Sequence, residues 1–105
     1  MVHYIAFYKL AQGVDDSSVD DLMRSSRSFL FRIQEAHNPR SGKRIDARME
    51  FPFFISIDFE SNDKLAMFRD DPVWIKFQHD HITPRTSDFV EMVYETEPGK
   101  NLKYS

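Results

Sequence analysis

The chain has 105 residues, 41% of them apolar and 30% charged, and 14 Lys and Arg against 17 Asp and Glu leave a formal charge of −3. That length suits one domain with a thin core, and the mildly acidic balance argues against a nucleic-acid partner, which usually meets a basic face. Cysteine is absent, which excludes disulfides, thiol nucleophiles, zinc ribbons and iron–sulfur clusters.

Ten Phe, four Tyr and one Trp are a heavy load of rings for so short a chain. They suit flat sheet faces better than a leucine-rich bundle. Val2–Leu10, VHYIAFYKL, is β-branched and aromatic, ends at Ala11-Gln12-Gly13, and predicts a first strand. Strand-like sequence begins at once, without a basic leader, and no apolar run approaches the roughly 18 residues of a membrane span. A cytoplasmic protein with no membrane partner is expected. Ser17 reads as a helix cap with Asp20 completing an approximate capping box, and Val19, Leu22, Met23 and Ser26 follow at helical spacing. Alternation at Phe29, Phe31 and Ile33 predicts a second strand over Ser28–Ala36, and the polar stretch His37–Glu50 reads as a mobile loop. Phe51, Phe53, Ile55, Ile57 and Phe59 alternate as a third strand, with Pro52 tolerated near its start. Ser61 caps a short helix carrying Leu65 and Phe68 inward. Asp71-Pro72 restarts it with Val73, Trp74 and Phe77 on the apolar face, and Pro84 stops it. A last strand covers Ser87–Thr96, and the polar tail over 98–105 is expected to be loose.

The order β-α-β-β-α-β is the ferredoxin-like α+β arrangement, a four-stranded antiparallel sheet with both helices on one face. Strand one is apolar on both faces: Tyr4, Ala6, Tyr8 and Leu10 alternate with Ile5 and Phe7. Phe54, Leu30, Val90 and Met92 are expected to join the uncovered face, mixed with Arg32, Gln34, Ser56 and Asp58. Such a patch exceeds what a monomer normally leaves in water, so a homodimer with its sheets face to face is the physical expectation.

The opening HYIAFYKLAQGV, the strand FFISIDFES before a short helix, the Asp71-Pro72 helix start and the closing FVEMVYET together resemble the stress-responsive A/B barrel (Dabb) family over about Val2 to Glu97. The resemblance implies ferredoxin-like subunits whose two sheets close into a dimeric α+β barrel, and implies little about activity. Some members are cofactor-free polyketide cyclases, and related barrel families include monooxygenases and isomerases. Cyclase-type members carry one histidine on the first strand and another after the Pro of the last helix. Aligned here, those positions fall on Tyr4 and Trp74, and His3, one residue early, points to the other face.

Tyr4, Tyr8, Trp74, Phe77 and Tyr94 are the residues expected to border a pocket between sheet and helices, although a plain aromatic core is the simpler reading for them. His79 and His81 invite a metal reading, but residues two apart on a helix lie about 200° around its axis, so no metal site is expected. His3 and His37 stand at strand ends and meet only if the first two strands run side by side. The basic cluster Arg40, Lys43, Arg44 and Arg48 can attract an anion, yet it lacks a glycine-rich loop and suits a solvated segment. Met49-Glu50-Phe51-Pro52-Phe53 supplies acid and proline where an RNA-recognition strand needs basic residues and glycine. No cofactor motif is present. The expected function is therefore a Dabb-type homodimer that binds a small hydrophobic or aromatic ligand or acts in stress response. The alternative is a cofactor-free cyclase, isomerase or monooxygenase acting on a polyketide-like or aromatic substrate, with Tyr4 and Tyr8 orienting it and His79 or His81 as base.

Overall fold

A computed structural model describes residues 1–96. The expected tail over 98–105 lies outside the described residues. In chain order the elements are β1 (Val2–Leu10), α1 (Ser17–Leu30), β2 (His37–Lys43), β3 (Phe53–Phe59), α2 (Asn62–Arg69), α3 (Pro72–Phe77) and β4 (Thr86–Glu95). A π-helical turn over Gln78–Ile82 and a single 3-10 turn over Thr83–Arg85 join α3 to β4. The four strands form one antiparallel sheet in the order β2-β3-β1-β4, the ferredoxin-like topology.

Four expectations from the sequence fail between residues 17 and 43: the Ser17 cap, the strand over 28–36, Leu30 on the open face and the loop from His37. Ser17 is the first residue of α1 and not its cap; the cap position is Asp16, whose carboxylate is taken by Arg44. Nor does α1 stop at Ser28. It continues to Leu30, because Val19, Leu22, Ser26 and Leu30 keep one buried helical stripe. The Phe29-Phe31-Ile33 alternation therefore spans a helix end and a turn, and the expected strand over 28–36 does not exist. Leu30 packs in the core instead of on the open face, and Arg32 and Gln34 belong to no strand. The second strand lies within the segment expected as a loop. Its sequence, HNPRSGK, has no strand propensity, but β2 is an edge strand that hydrogen-bonds to β3 alone, with an irregular register between His37 and Arg40. At Gly42 the ring of Phe54, its register partner, lies where a β-carbon would stand.

Elsewhere β3 begins at Phe53 rather than Phe51, and α3 ends at Phe77, ahead of the turns that carry Pro84, while both helix starts are as expected. Ser61 Oγ accepts from the Lys64 backbone N–H at 3.2 Å to cap α2. Asp71 Oδ1 accepts from Val73 at 2.8 Å to cap α3, with Pro72 in its first turn. Inward from the sheet point Val2, Tyr4, Ala6 and Tyr8 of β1 and Phe53, Ile55, Ile57 and Phe59 of β3, all buried. The helices meet them with Val19, Leu22, Leu30, Leu65, Phe68, Trp74 and Phe77. The opposite face carries Ile5 and Phe7 of β1, Phe54 of β3 and Val90, Met92 and Tyr94 of β4, with no helix over it. β4 is exposed almost throughout, Phe89 and Val93 on its helix side included.

Candidate functional site

The inward face of β1 brings two tyrosines together. Tyr4 and Tyr8 flank Ala6, and Ala6 is the register partner of Glu91 on β4, so the Glu91 carboxylate shares their face. Tyr4 Oη donates to Glu91 Oε1 at 2.8 Å, and Arg69 Nη1 at the end of α2 donates to Glu91 Oε2 at 3.2 Å. The Arg69 guanidinium also stands 5.8 Å from the Tyr4 ring centre. Burial above all, then Tyr8 and the bonded Glu91 carboxylate, raises the Tyr4 phenol far above its ordinary range. The Tyr8 phenol is raised too, first by burial and then by the Glu91 charge.

Tyr8 Oη is the one buried side-chain polar atom among the described residues with no hydrogen-bond partner in the protein. Tyr8 is only 2% exposed, and the nearby Tyr4 hydroxyl does not complete a bond to it. A cavity of about 240 Å3 lies against Tyr8, walled by Gln78, Ile82 and Thr83 of the helical turns and by Thr86, Ser87, Asp88 and Phe89 at the start of β4. Tyr8 faces Phe53 at 5.7 Å and Phe89 at 6.1 Å between ring centres, so its ring sits among aromatic neighbours.

The other expected site residues fall into three places. Trp74 and Phe77 are buried core rings: Trp74 packs on Phe68 at 4.6 Å and on Phe77 at 5.9 Å. Tyr94 is on the wrong face for a pocket with Tyr4, since it pairs with His3 on the open side and is 57% exposed; a residue one step from Val93 must point oppositely. His79 sits in the π-helical turn with 86% of its side chain exposed, its Nδ1 3.1 Å from Asp80. His81 instead stacks against Phe77 at 5.4 Å and Phe29 at 5.2 Å. Among the described residues no group of three possible metal ligands forms. The basic cluster is largely neutralised within the chain: Lys43 reaches Asp20 at 3.0 Å, Arg44 Asp16 at 2.9 Å and Arg48 Asp46 at 2.8 Å. Arg40 lies on the open face beside Ile5, Phe7, Phe54 and Ser56. His3 and His37 do not meet, because β3 runs between their strands.

Glu91 is not among the residues that the sequence points to. Its signal in the sequence is a carboxylate at the inward position between Phe89 and Val93, where strand alternation calls for an apolar residue.

No family model matches the chain, and no curated protein matches it. Solved structures do. A Dabb family protein with a ferredoxin-like fold from Mesorhizobium loti superposes with a TM-score of 0.77 at 16% identity, over 91% of this chain and 96% of its own. A dimeric ferredoxin-like protein of unknown function from Thermobifida fusca gives 0.79 at 19% identity, over 90% of each chain. Hydroxynitrile lyase from Passiflora edulis gives 0.75 at 15% identity, over 95% of this chain and 96% of its own. Strand order, helix placement and these superpositions agree that the chain has the ferredoxin-like fold, the fold of that Dabb family protein.

Proposed function

We propose that the chain is a Dabb-type homodimer that binds a small, largely apolar aromatic molecule in the cavity beside Tyr8. The buried, unpartnered Tyr8 hydroxyl carries this reading. Leaving such a group without a bond costs roughly 1–3 kcal/mol, and a ligand acceptor placed against it would recover that cost. The cavity of about 240 Å3 suits a single substituted ring, since about 150 Å3 already admits benzene. Dimerisation is supported by the uncovered face of Ile5, Phe7, Phe54, Val90 and Met92 and by neighbours described as dimeric. A thermal-shift screen of single-ring compounds bearing a carbonyl or ether acceptor tests the ligand reading, because binding to the folded state raises its melting temperature. The expected result is a dose-dependent rise that disappears in Tyr8→Phe. No rise with any compound, or an equal rise in Tyr8→Phe, would refute it.

The Tyr4–Glu91–Arg69 chain next to Tyr8 favours the enzyme reading as the alternative: a cofactor-free cyclase, isomerase or monooxygenase acting on an aromatic or polyketide-like substrate. Conversion of a bound compound over hours, lost in Tyr4→Phe or Glu91→Gln with the fold intact, would decide for it. His79→Ala and His81→Ala test the histidines as base in the same assay.

A further inference from the structure

Between β2 and β3 the chain makes a loop over residues 44–52 that is tied down at several points. The Arg44 N–H donates to the Pro52 carbonyl at 2.9 Å and closes the neck, and the Met49 N–H donates to the Asp46 carbonyl at 3.0 Å. The Arg44 guanidinium braces the loop from both sides. Its Nη1 donates to the Met49 carbonyl at 2.8 Å, while Nη2 and Nε bind the Asp16 carboxylate at the start of α1, at 2.9 and 3.2 Å. Asp46 accepts from the Arg48 backbone N–H at 2.9 Å and from its guanidinium at 2.8 Å. Yet this braced loop holds Ile45 fully exposed and Met49 54% exposed, and no other large apolar side chain among the described residues is as exposed as Ile45. A segment that served only to reverse the chain would carry small polar residues at such positions. With Phe7, Phe51, Phe54 and Gly42 these two side chains line an apolar groove of about 390 Å3. Phe7 packs on Phe51 at 5.8 Å and on Phe54 at 6.3 Å between ring centres. Phe7 and Phe54 also belong to the open sheet face, so groove and face form one continuous apolar surface.

We infer that the loop over 44–52 is a clasp for a second copy of the chain, with Ile45 and Met49 closing over the partner that packs on the open face. The clasp rests on the homodimer reading and adds to it a contact that the sheets themselves do not supply. A partner seated on Ile5, Phe7 and Phe54 runs on into the groove, because Phe7 and Phe54 line both. Neighbouring folds described as dimeric favour a copy of the chain as the occupant. Arg44 and Arg48 are already neutralised by Asp16 and Asp46, so what the loop leaves for a partner is apolar, like the face beside it. Because the bonds within the loop preform it, closing it on a partner costs little conformational entropy. Under a two-fold axis the contact is made twice. One substitution therefore removes two clasps.

The chain has no cysteine, so a single introduced thiol reports on one position. Ile45→Cys is reacted with 5,5′-dithiobis(2-nitrobenzoate) across a dilution series that sedimentation shows to pass from dimer to monomer, and again in a Phe7→Asp background. Ile75→Cys is the reference, since Ile75 is 51% exposed on α3, in the helix layer away from the open face. The Ile45→Cys thiol should react about 10-fold more slowly in the dimer than in the monomer, and the Ile75→Cys thiol at one rate in both. Ile45→Asp changes a fully exposed side chain, so the subunit should fold as before while the dimer dissociation constant rises about 100-fold, roughly tenfold for each isoleucine no longer buried. Equal reactivity of the Ile45→Cys thiol in dimer and monomer, or an Ile45→Asp dimer as tight as the wild type, would overturn the clasp and leave the dimer standing. Protection of that thiol that persists in the monomer would assign the cover to the chain itself and would overturn the clasp too. A wild type that sediments as a monomer at every concentration would instead remove the homodimer and the clasp together. Should Phe7→Asp fail to fold, the dilution series alone decides.

Discussion

Tyr8→Phe is expected to make the unliganded protein more stable. The substitution removes only the hydroxyl, and that oxygen is buried with no protein partner, so ring packing on Phe53 and Phe89 is retained. A buried donor left unmade costs roughly 1–3 kcal/mol, and deleting it returns that amount. Unfolding entropy near 2.1 cal/mol/K per residue amounts to about 0.22 kcal/mol/K for a chain of this length, so the gain corresponds to a rise in melting temperature of about 5–14 °C. Calorimetry at one fixed protein concentration and without ligand measures it; concentration must be held because a dimer's melting point depends on it. In the presence of a bound compound the order should reverse, as only the wild type can donate to it. An unchanged or lower melting temperature for the free variant would show that the hydroxyl is satisfied in the free protein. The reasoning that ties it to a ligand would then fail.

Trp74→Ala, which empties a buried site between Phe68 and Phe77, should cost about 3–5 kcal/mol by denaturant titration, and the wild-type indole emission should be blue-shifted; a red-shifted native spectrum would contradict its placement. Light scattering at micromolar concentration should give about twice the 12.5 kDa chain mass, and Phe7→Asp on the open face should return a folded monomer; a wild-type monomer would remove the dimer. Alkaline stability carries a signature of the tyrosine pair. Burial raises both phenols above the ordinary value of 10.0, so above about pH 10 the unfolded chain releases protons that the folded chain retains. Stability is then full below pH 10 and falls as pH rises further, and Tyr4→Phe and Tyr8→Phe should each flatten the fall by up to one proton. Equal slopes in wild type and variants would refute the burial of these hydroxyls.

Where order along the chain and nearest neighbours suffice, residue types alone specify the outcome. β1 and β3 read as strands because each has a buried apolar inward face, and Ser61 and Asp71-Pro72 start their helices through bonds made within one turn. The opposite facing of His3 and Tyr4 follows from strand alternation. Identity at β2 comes from elsewhere. HNPRSGK becomes a strand because β3 presents a free edge of backbone donors and acceptors, and that edge is a product of folding. In the same way, Phe29 and Leu30 stay helical because the stripe begun at Val19 continues against the sheet, so a local alternation yields to packing four residues apart. The candidate site is of this second kind. Glu91 reaches Tyr4 across 87 positions; strand β4 returns beside β1 only in the folded sheet, and hydrogen bonds between such distant residues follow from register, which no local pattern encodes.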